Sequence, residues 1–249
     1  MTEEERAGTA PARVMVVVAH PDDAEFMCGG TVARWAAEGT EIIYVLGTSG
    51  DKGSDNPQVA SEQLMETREA EQRQSARILG VKQVEFLRFP DAELVPDLTL
   101  RLAITRMIRL HRPDALICQD PTSRWSGRGY LQHPDHIAMG EATLAAVFPS
   151  ARDRLTFPQL LVEGLEPHKV TEVYLAASSE ADVWVDITGS FDKKLAALAA
   201  HVSQIGGDWD VEAMVRQWAQ GIANEARQRG FPGADEIELA EGFKYFKLR

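Results

Sequence analysis

Residues 13 to 19 carry a valine-rich run that is apolar at consecutive positions, not alternate ones, and it ends abruptly in His20-Pro21-Asp22-Asp23. A short, continuous, β-branched run of this kind predicts a strand buried on both faces, as in a parallel sheet. Residues Met27 to Glu38 then follow a helical period, closed by Gly39, and Glu41 to Thr48 repeat the buried-strand pattern. A turn-rich loop, "SGDKGSDNPQ", leads to a long helix from Ser61 to Leu79 that ends at Gly80. "QVEFLRF" predicts a third strand, and Asp97 caps a helix that stops before Pro113. "DALICQD" predicts a fourth strand. A loop from Pro121 to Gln132 precedes a helix from about Pro134 to Val147. "EVYLAA" and "DVWVDIT" predict two more strands, and helices over about Phe191 to Ile205 and Asp210 to Arg229 finish the pattern.

Strands that alternate with helices through the first 150 residues predict an α/β fold: an open, mostly parallel sheet with helices on both faces. In such sheets ligands bind beyond the carboxyl ends of the strands. Three loops bring polar residues to those ends: His20–Asp23, Ser49–Ser54 and Asp120–His136. A dinucleotide site is excluded, because the first strand-to-helix turn lacks G-x-G-x-x-G and carries carboxylates that repel phosphate. No Gly/Ser/Pro-rich linker divides the chain, so residues 13–249 are expected to form one domain behind a loose acidic tail, residues 1–12.

Composition narrows the partners. The net charge of -12 argues against nucleic acid and anionic membranes, which need basic footprints. No apolar run approaches the ~18 residues of a membrane span, and the first residues have no signal-peptide pattern. The two cysteines, Cys28 and Cys118, suggest a reducing, cytoplasmic setting. Cys118 reads as buried, and Cys28 as structural with a reactive role as the lesser alternative.

The chemistry lies in two His-Pro-Asp motifs. In "LQHPDHIAMG", Pro134 at the first helical position makes His133 the N-cap, and His133 and His136 share one face of the helix start. The first motif offers His20 and Asp23 at the same spacing. One such motif alone is usually a turn with a cap. Two of them, each after a buried strand on the binding edge, point to a metal. A catalytic zinc takes three protein ligands and keeps a position for water. His20, Asp23 and His136 are therefore assigned as ligands, Asp22 as general base, His133 as the electrostatic stabiliser or acid, and Asp135 as the partner that orients and charges His133. Of the other histidines, His111 suits a helix C-terminus, His168 a loop, and His201 a core or interface position.

"AHPDDAEFMCGGT" at residues 19–31, with "HPDH" at 133–136, resembles the signature of the LmbE-like, or PIG-L-type, zinc-dependent deacetylases. "GTSGDKGS", "TREAEQRQSARILG", "FPDAEL" and "KKLAALAAHVSQ" extend the resemblance over about residues 13 to 205. It implies a Rossmann-like fold, one Zn2+ per subunit, and removal of acetyl groups from N-acetylglucosamine or its conjugates. By the same resemblance, His20, Asp23 and His136 fall on the zinc ligands, Asp22 on the base and His133 on the oxyanion stabiliser. Arg68 falls on an arginine that holds sugar hydroxyls, against a solvated helix arginine as the plain alternative, and Asp91 on an acid lining the sugar pocket. Where relatives carry a tyrosine two residues before the first HPDH histidine this chain has Leu131, with Tyr130 next to it. Trp125, in "SRWSGRGY", is placed to stack on a sugar or to anchor a subunit interface. The family also implies a homo-oligomer, a trimer or hexamer, acting on a small amino-sugar. A zinc amidase for a non-sugar substrate is the closest alternative. A non-haem iron oxygenase, which also uses two histidines and a carboxylate, and a non-catalytic sugar- or metal-binding protein are weaker ones.

Overall fold

The computed structural model describes residues 10–206 and 210–249; the first nine residues of the expected tail lie outside them. The frame is a seven-stranded sheet in the order β3-β2-β1-β4-β7-β9-β8. Its strands are β1 (Arg13–Val18), β2 (Glu41–Thr48), β3 (Gln83–Phe89), β4 (Ala115–Gln119), β7 (Glu172–Ala176), β8 (Val183–Asp186) and β9 (Ala240–Lys247). The first five in spatial order pair in parallel, and β9 runs antiparallel between β7 and β8. A separate two-stranded hairpin joins β5 (Trp125–Ser126) to β6 (Tyr130–Leu131).

The continuous valine run follows from burial on both sides. Val14, Val16 and Val18 enter one apolar cluster and Met15, Val17 and Ala19 the other. The first cluster is closed by α1 (Asp23–Ala37), α2 (Ser61–Leu79), α6 (Phe191–Leu198) and α7 (Val211–Gln228); the second by α3 (Leu98–His111) and α4 (Pro134–Ala145). A short α5 (Gln159–Val162) lies between α4 and β7. The chain order leaves β1 toward β2 and β3 on one side and β4 on the other, so the switch of direction falls between β1 and β4. That is where an open α/β sheet opens a crevice, and both His-Pro-Asp motifs emerge there.

Four elements differ from expectation. The helix expected from Met27 starts at Asp23, because the turn at Asp22 lets Phe26 N–H bond Asp22 O at once (3.1 Å). It is interrupted at Cys28 (φ −145°), and the freed N–H groups of Gly30 and Thr31 donate to the Glu241 carboxylate (3.0 and 2.7 Å). The helix expected to reach Ile205 ends at Leu198, which leaves His201 in a turn. The helix after Pro134 passes at Ala146 into a wider turn that breaks at Phe148, before Pro149. Strand β9 has no counterpart in the expected pattern; its Phe243 and Tyr245 pack on the first cluster.

Both cysteines are free and fully buried, and burial pushes their thiols up. This removes the reactive alternative for Cys28, since a thiolate is the nucleophile.

Candidate active site

At the end of β1 the chain turns through Asp22, a non-glycine residue at φ 90°. The turn is tied by His20 N–H, which donates to Asp23 Oδ2 (2.8 Å). Gln119, the last residue of β4, donates its side-chain amide to the same oxygen (3.1 Å). Asp23 Oδ2 is thus occupied, and Oδ1 faces His136 Nε2 at 3.0 Å. His136 Nδ1 faces Gln132 Oε1 at 3.1 Å, which sets the ring with its proton on Nδ1 and a lone pair on Nε2. His20 Nε2 lies against Asp91 Oδ1 (3.0 Å) and Asp135 Oδ2 (3.3 Å), which leaves Nδ1 facing His136 Nε2 at 3.3 Å. The ligand atoms of His20, Asp23 and His136 lie within 4.8 Å of one another. Three lone pairs therefore point at one place, each oriented by a second partner on its far side, as metal ligands are.

Charge supports the same reading. Burial pulls the His20 imidazole down, but hydrogen bonds to Asp135, Asp23 and Asp91 outweigh it and push it up to about 12. Burial also pushes Asp23 up, yet His136 and His20 hold it well below its ordinary value. A pocket that demands a proton this strongly is short of positive charge, and a divalent cation supplies it. A second group, His20, His133 and Asp135, also brings ligand atoms within 4.8 Å. Its oxygens are already spent: Asp135 accepts from the backbone N–H groups of Ala92 (2.7 Å) and Leu94 (3.1 Å). The first set fits a metal better.

Asp22 stands beside these ligands with its side chain mostly buried, and Arg68 Nη2 lies 3.2 Å from its Oδ2. Burial pushes the Asp22 carboxyl up to about 7, against the opposing pull of Arg68. His133 caps α4 through Nδ1, which accepts Asp135 N–H (3.2 Å). The neutral ring then carries its proton on Nε2. Burial, and then the charge of His20, lowers His133 below its ordinary value, which favours the neutral ring with its donor at Nε2.

The other expected residues divide. Asp135 does not orient His133 with its carboxylate; that carboxylate is committed to His20 and to the backbone amides of Ala92 and Leu94 in the loop after β3. Asp91 also turns to His20, and its second oxygen accepts Lys52 N–H (3.2 Å); burial pushes Asp91 up, but His20 holds it down at about 2. Arg68 is not solvated. Nη1 donates to Gly50 O (3.1 Å) and Nη2 to Pro21 O (2.8 Å), so within the protein its partners are the turn and Asp22. Gly50, at φ 66°, must be glycine, since a Cβ there would overlap that guanidinium. Tyr130 donates to Gln132 Oε1 (2.9 Å), one bond from His136, while Trp125 is 70% exposed on the hairpin.

The sequence reading missed Gln119, Gln132 and Gln72. Gln119 was visible as a polar residue ending an apolar strand, and Gln72 as a residue four after Arg68 on one helix. Gln132 carried no such signal.

Residues 15–147 match the family model described as PIG-L, GlcNAc-PI de-N-acetylase, which spans just over half of the 249-residue chain. A diacetylchitobiose deacetylase of Thermococcus kodakarensis is 32% identical over 80% of this chain and 73% of its own length. A 1D-myo-inositol 2-acetamido-2-deoxy-alpha-D-glucopyranoside deacetylase of Mycobacteroides abscessus is 29% identical over 90% of this chain and 94% of its own. Among solved structures, the N,N'-diacetylchitobiose deacetylase of Pyrococcus horikoshii, in complex with an inhibitor, superposes with a TM-score of 0.87 at 27% identity, covering 99% of this chain and 88% of that one.

Proposed function

The chain belongs to the PIG-L (LmbE-like) family of amide hydrolases, and from that premise we propose that it is a zinc-dependent N-deacetylase that releases acetate from an N-acetylglucosaminyl sugar or conjugate. The observation that carries this is the convergence of three oriented lone pairs, on His20 Nδ1, Asp23 Oδ1 and His136 Nε2, with a buried carboxylate on the adjacent Asp22. His20, Asp23 and His136 would hold the zinc. When bound, it would polarise the acetamide carbonyl and acidify a water.

The chain's own residues do the rest. Asp22, kept from easy ionisation by burial yet steadied by Arg68, takes a proton from the attacking water. The water oxygen bonds to the carbonyl carbon, and His133 Nε2–H donates to the oxyanion that develops. As the C–N bond breaks, Asp22 returns its proton to the amine. His133 does not serve as that donor, because its Nδ1 is bound as a cap and its Nε2 proton is engaged with the oxyanion. Acetate and the free amino sugar leave.

Asp91 and Asp135 keep His20 turned toward the metal. Tyr130 and Trp125, on the β5–β6 hairpin beside Gln132, are the rim where the sugar is recognised.

Phe148, Leu155 and Val162 are exposed apolar surface of the kind a homo-oligomer, trimer or hexamer, covers. Two free buried cysteines suit a cytoplasmic enzyme, and no described helix is long and apolar enough to cross a membrane. The test is acetate release by zinc-loaded protein from N-acetylglucosamine, N,N'-diacetylchitobiose and a glucosaminyl-inositol conjugate. Acetate from at least one supports the sugar reading. Acetate only from non-sugar acetamides leaves an amide hydrolase with a different substrate, and oxygen consumption in place of acetate release sinks the hydrolytic reading.

A further inference from the structure

Helix α2 carries a polar stripe where an apolar one is expected. Arg68, Gln72 and Ser75 stand at i, i+4 and i+7, the spacing of one helix face, and all three are buried. Arg68 and Gln72 reach the turn that holds Asp22, and Gln72 and Ser75 reach Glu25 in the first turn of α1. Arg68 takes the Asp22 carboxylate and Pro21 O. Gln72 Oε1 accepts Asp22 N–H at 2.9 Å. Gln72 Nε2 donates to Glu25 Oε1 at 2.8 Å, and Ser75 Oγ donates to the same oxygen at 2.8 Å. Glu25 is fully buried, and its other oxygen lies 3.5 Å from Nε2 of the fully buried His201.

From this arrangement we infer that Gln72 is a positioning residue for the base, with Glu25 as the lock that sets its direction. This rests on the reading of Asp22 as base. A glutamine amide can turn over and exchange its oxygen and nitrogen. Here it cannot do so freely, because the Asp22 main-chain N–H only donates and Glu25 Oε1 faces the other end. The nitrogen is therefore held at Glu25 and the oxygen at Asp22 N–H. That hydrogen bond matters because Asp22 sits at φ 90°, a conformation a side-chain-bearing residue adopts only when its surroundings impose it. The positive φ sends the carboxylates of Asp22 and Asp23 to different tasks although they are neighbours in the chain. Gln72 holds the main chain of Asp22, and Arg68 holds its carboxylate. The stripe costs α2 an apolar face, and what it fixes is the aim of one side chain. His201, which the sequence left as a core or interface histidine, closes the back of this network.

The experiment compares Gln72→Met, which keeps volume but has no acceptor, with Gln72→Asn, whose shorter chain cannot reach both partners, using N,N'-diacetylchitobiose as the probe. The expected result is a fall in kcat of about tenfold to hundredfold, the scale of a misplaced catalytic group, with KM and zinc content unchanged. In an Asp22→Asn background the same substitutions are expected to cost little more, because the group they aim is gone. Glu25→Gln keeps an oxygen for Gln72 and Ser75 and is expected to recover most of the kcat that Glu25→Leu loses. Equal and additive losses in both backgrounds would mean a general structural role and overturn the inference. An Asp22→Asn protein with native kcat sinks the base reading itself, which is a separate failure. Crystal structures of the Gln72 variants give a readout free of turnover: Asp22 leaving its positive φ supports the inference, and Asp22 unmoved overturns it.

Discussion

Asp135 Oδ2 lies 3.3 Å from His20 Nε2, joining residues 115 apart in the chain, and its oxygens make no bond to the neighbouring His133. Removing that carboxylate should therefore act on the metal first. Asp135→Asn is expected to weaken zinc binding by about ten- to hundredfold, the usual effect of losing a ligand's outer partner, measured by competition with a chromophoric chelator. Unchanged zinc affinity with a collapsed kcat would return Asp135 to His133.

Asp22→Asn keeps the shape of the base but cannot take a proton. The variant is expected to bind zinc normally and to lose about 10²–10⁴-fold in kcat, the range of a general base. Near-native turnover, measured by acetate release with zinc content checked by mass spectrometry, would exclude Asp22.

Metal removal should be legible as stability. Zinc at a hundred times its Kd is expected to stabilise the protein by about 2.7 kcal/mol, seen as a rise in Tm that a chelator reverses. Asp23→Ala removes a ligand, so its Tm should not respond to zinc. A full zinc response in that variant would place the ion elsewhere.

Glu69 gives a pH dependence independent of the metal. Its carboxylate accepts from Arg88 Nε (2.7 Å), Ser49 Oγ (2.8 Å) and Arg73 Nη2 (2.9 Å). Arg88 is the largest influence holding it down at about 2, against an ordinary 4.5. A depressed carboxyl stabilises the fold above its unfolded value and loses that contribution as the pH falls through its folded value. The window is thus about pH 4.5 down to about 2. Both arginines are partly exposed, so solvent screening limits the gain to about 1 kcal/mol. Glu69→Gln should flatten the acid limb of urea stability in that window; an unchanged limb would remove Glu69 from the account.

Lys194 Nζ lies 2.6 Å from Glu241 Oε1, and both side chains are buried. Lys194→Met leaves a charge on Glu241 inside the protein and is expected to cost about 3–5 kcal/mol by urea denaturation. Adding Glu241→Gln should return part of that loss, because the stranded charge is gone. A double variant as unstable as the sum of the two singles would show that the pair does not act as a unit.

Strands β1 and β2 were legible because burial on both faces leaves an unmistakable mark: they are apolar at nearly every position. The grouping of His20, Asp23 and His136 was legible because each motif sits where a strand or loop gives way to a helix start. Strand β9 was not, since in "AEGFKYFK" Gly242-Phe243 and Tyr245-Phe246 break the period of two, and it pairs only with strands over 50 residues earlier in the chain. The partners of Asp135 and Arg68 were hidden for a different reason. Spacing reports which residues share a face, and it does not report which way a carboxylate turns once β1 and α4 are brought together.

The hairpin of β5 and β6 borders this machinery, with Tyr130 donating to Gln132 Oε1. Its Trp125 and Leu131 are 70% and 81% exposed, while the ligands rest on the ends of β1 and on α4. Changes at such exposed positions cost the fold little, so the hairpin can be varied while the buried His20 and Asp23 stay in place. An enzyme arranged this way is evolvable at its rim: a library confined to residues 124–129 can search new leaving amines without reopening the question of how the bond is cut.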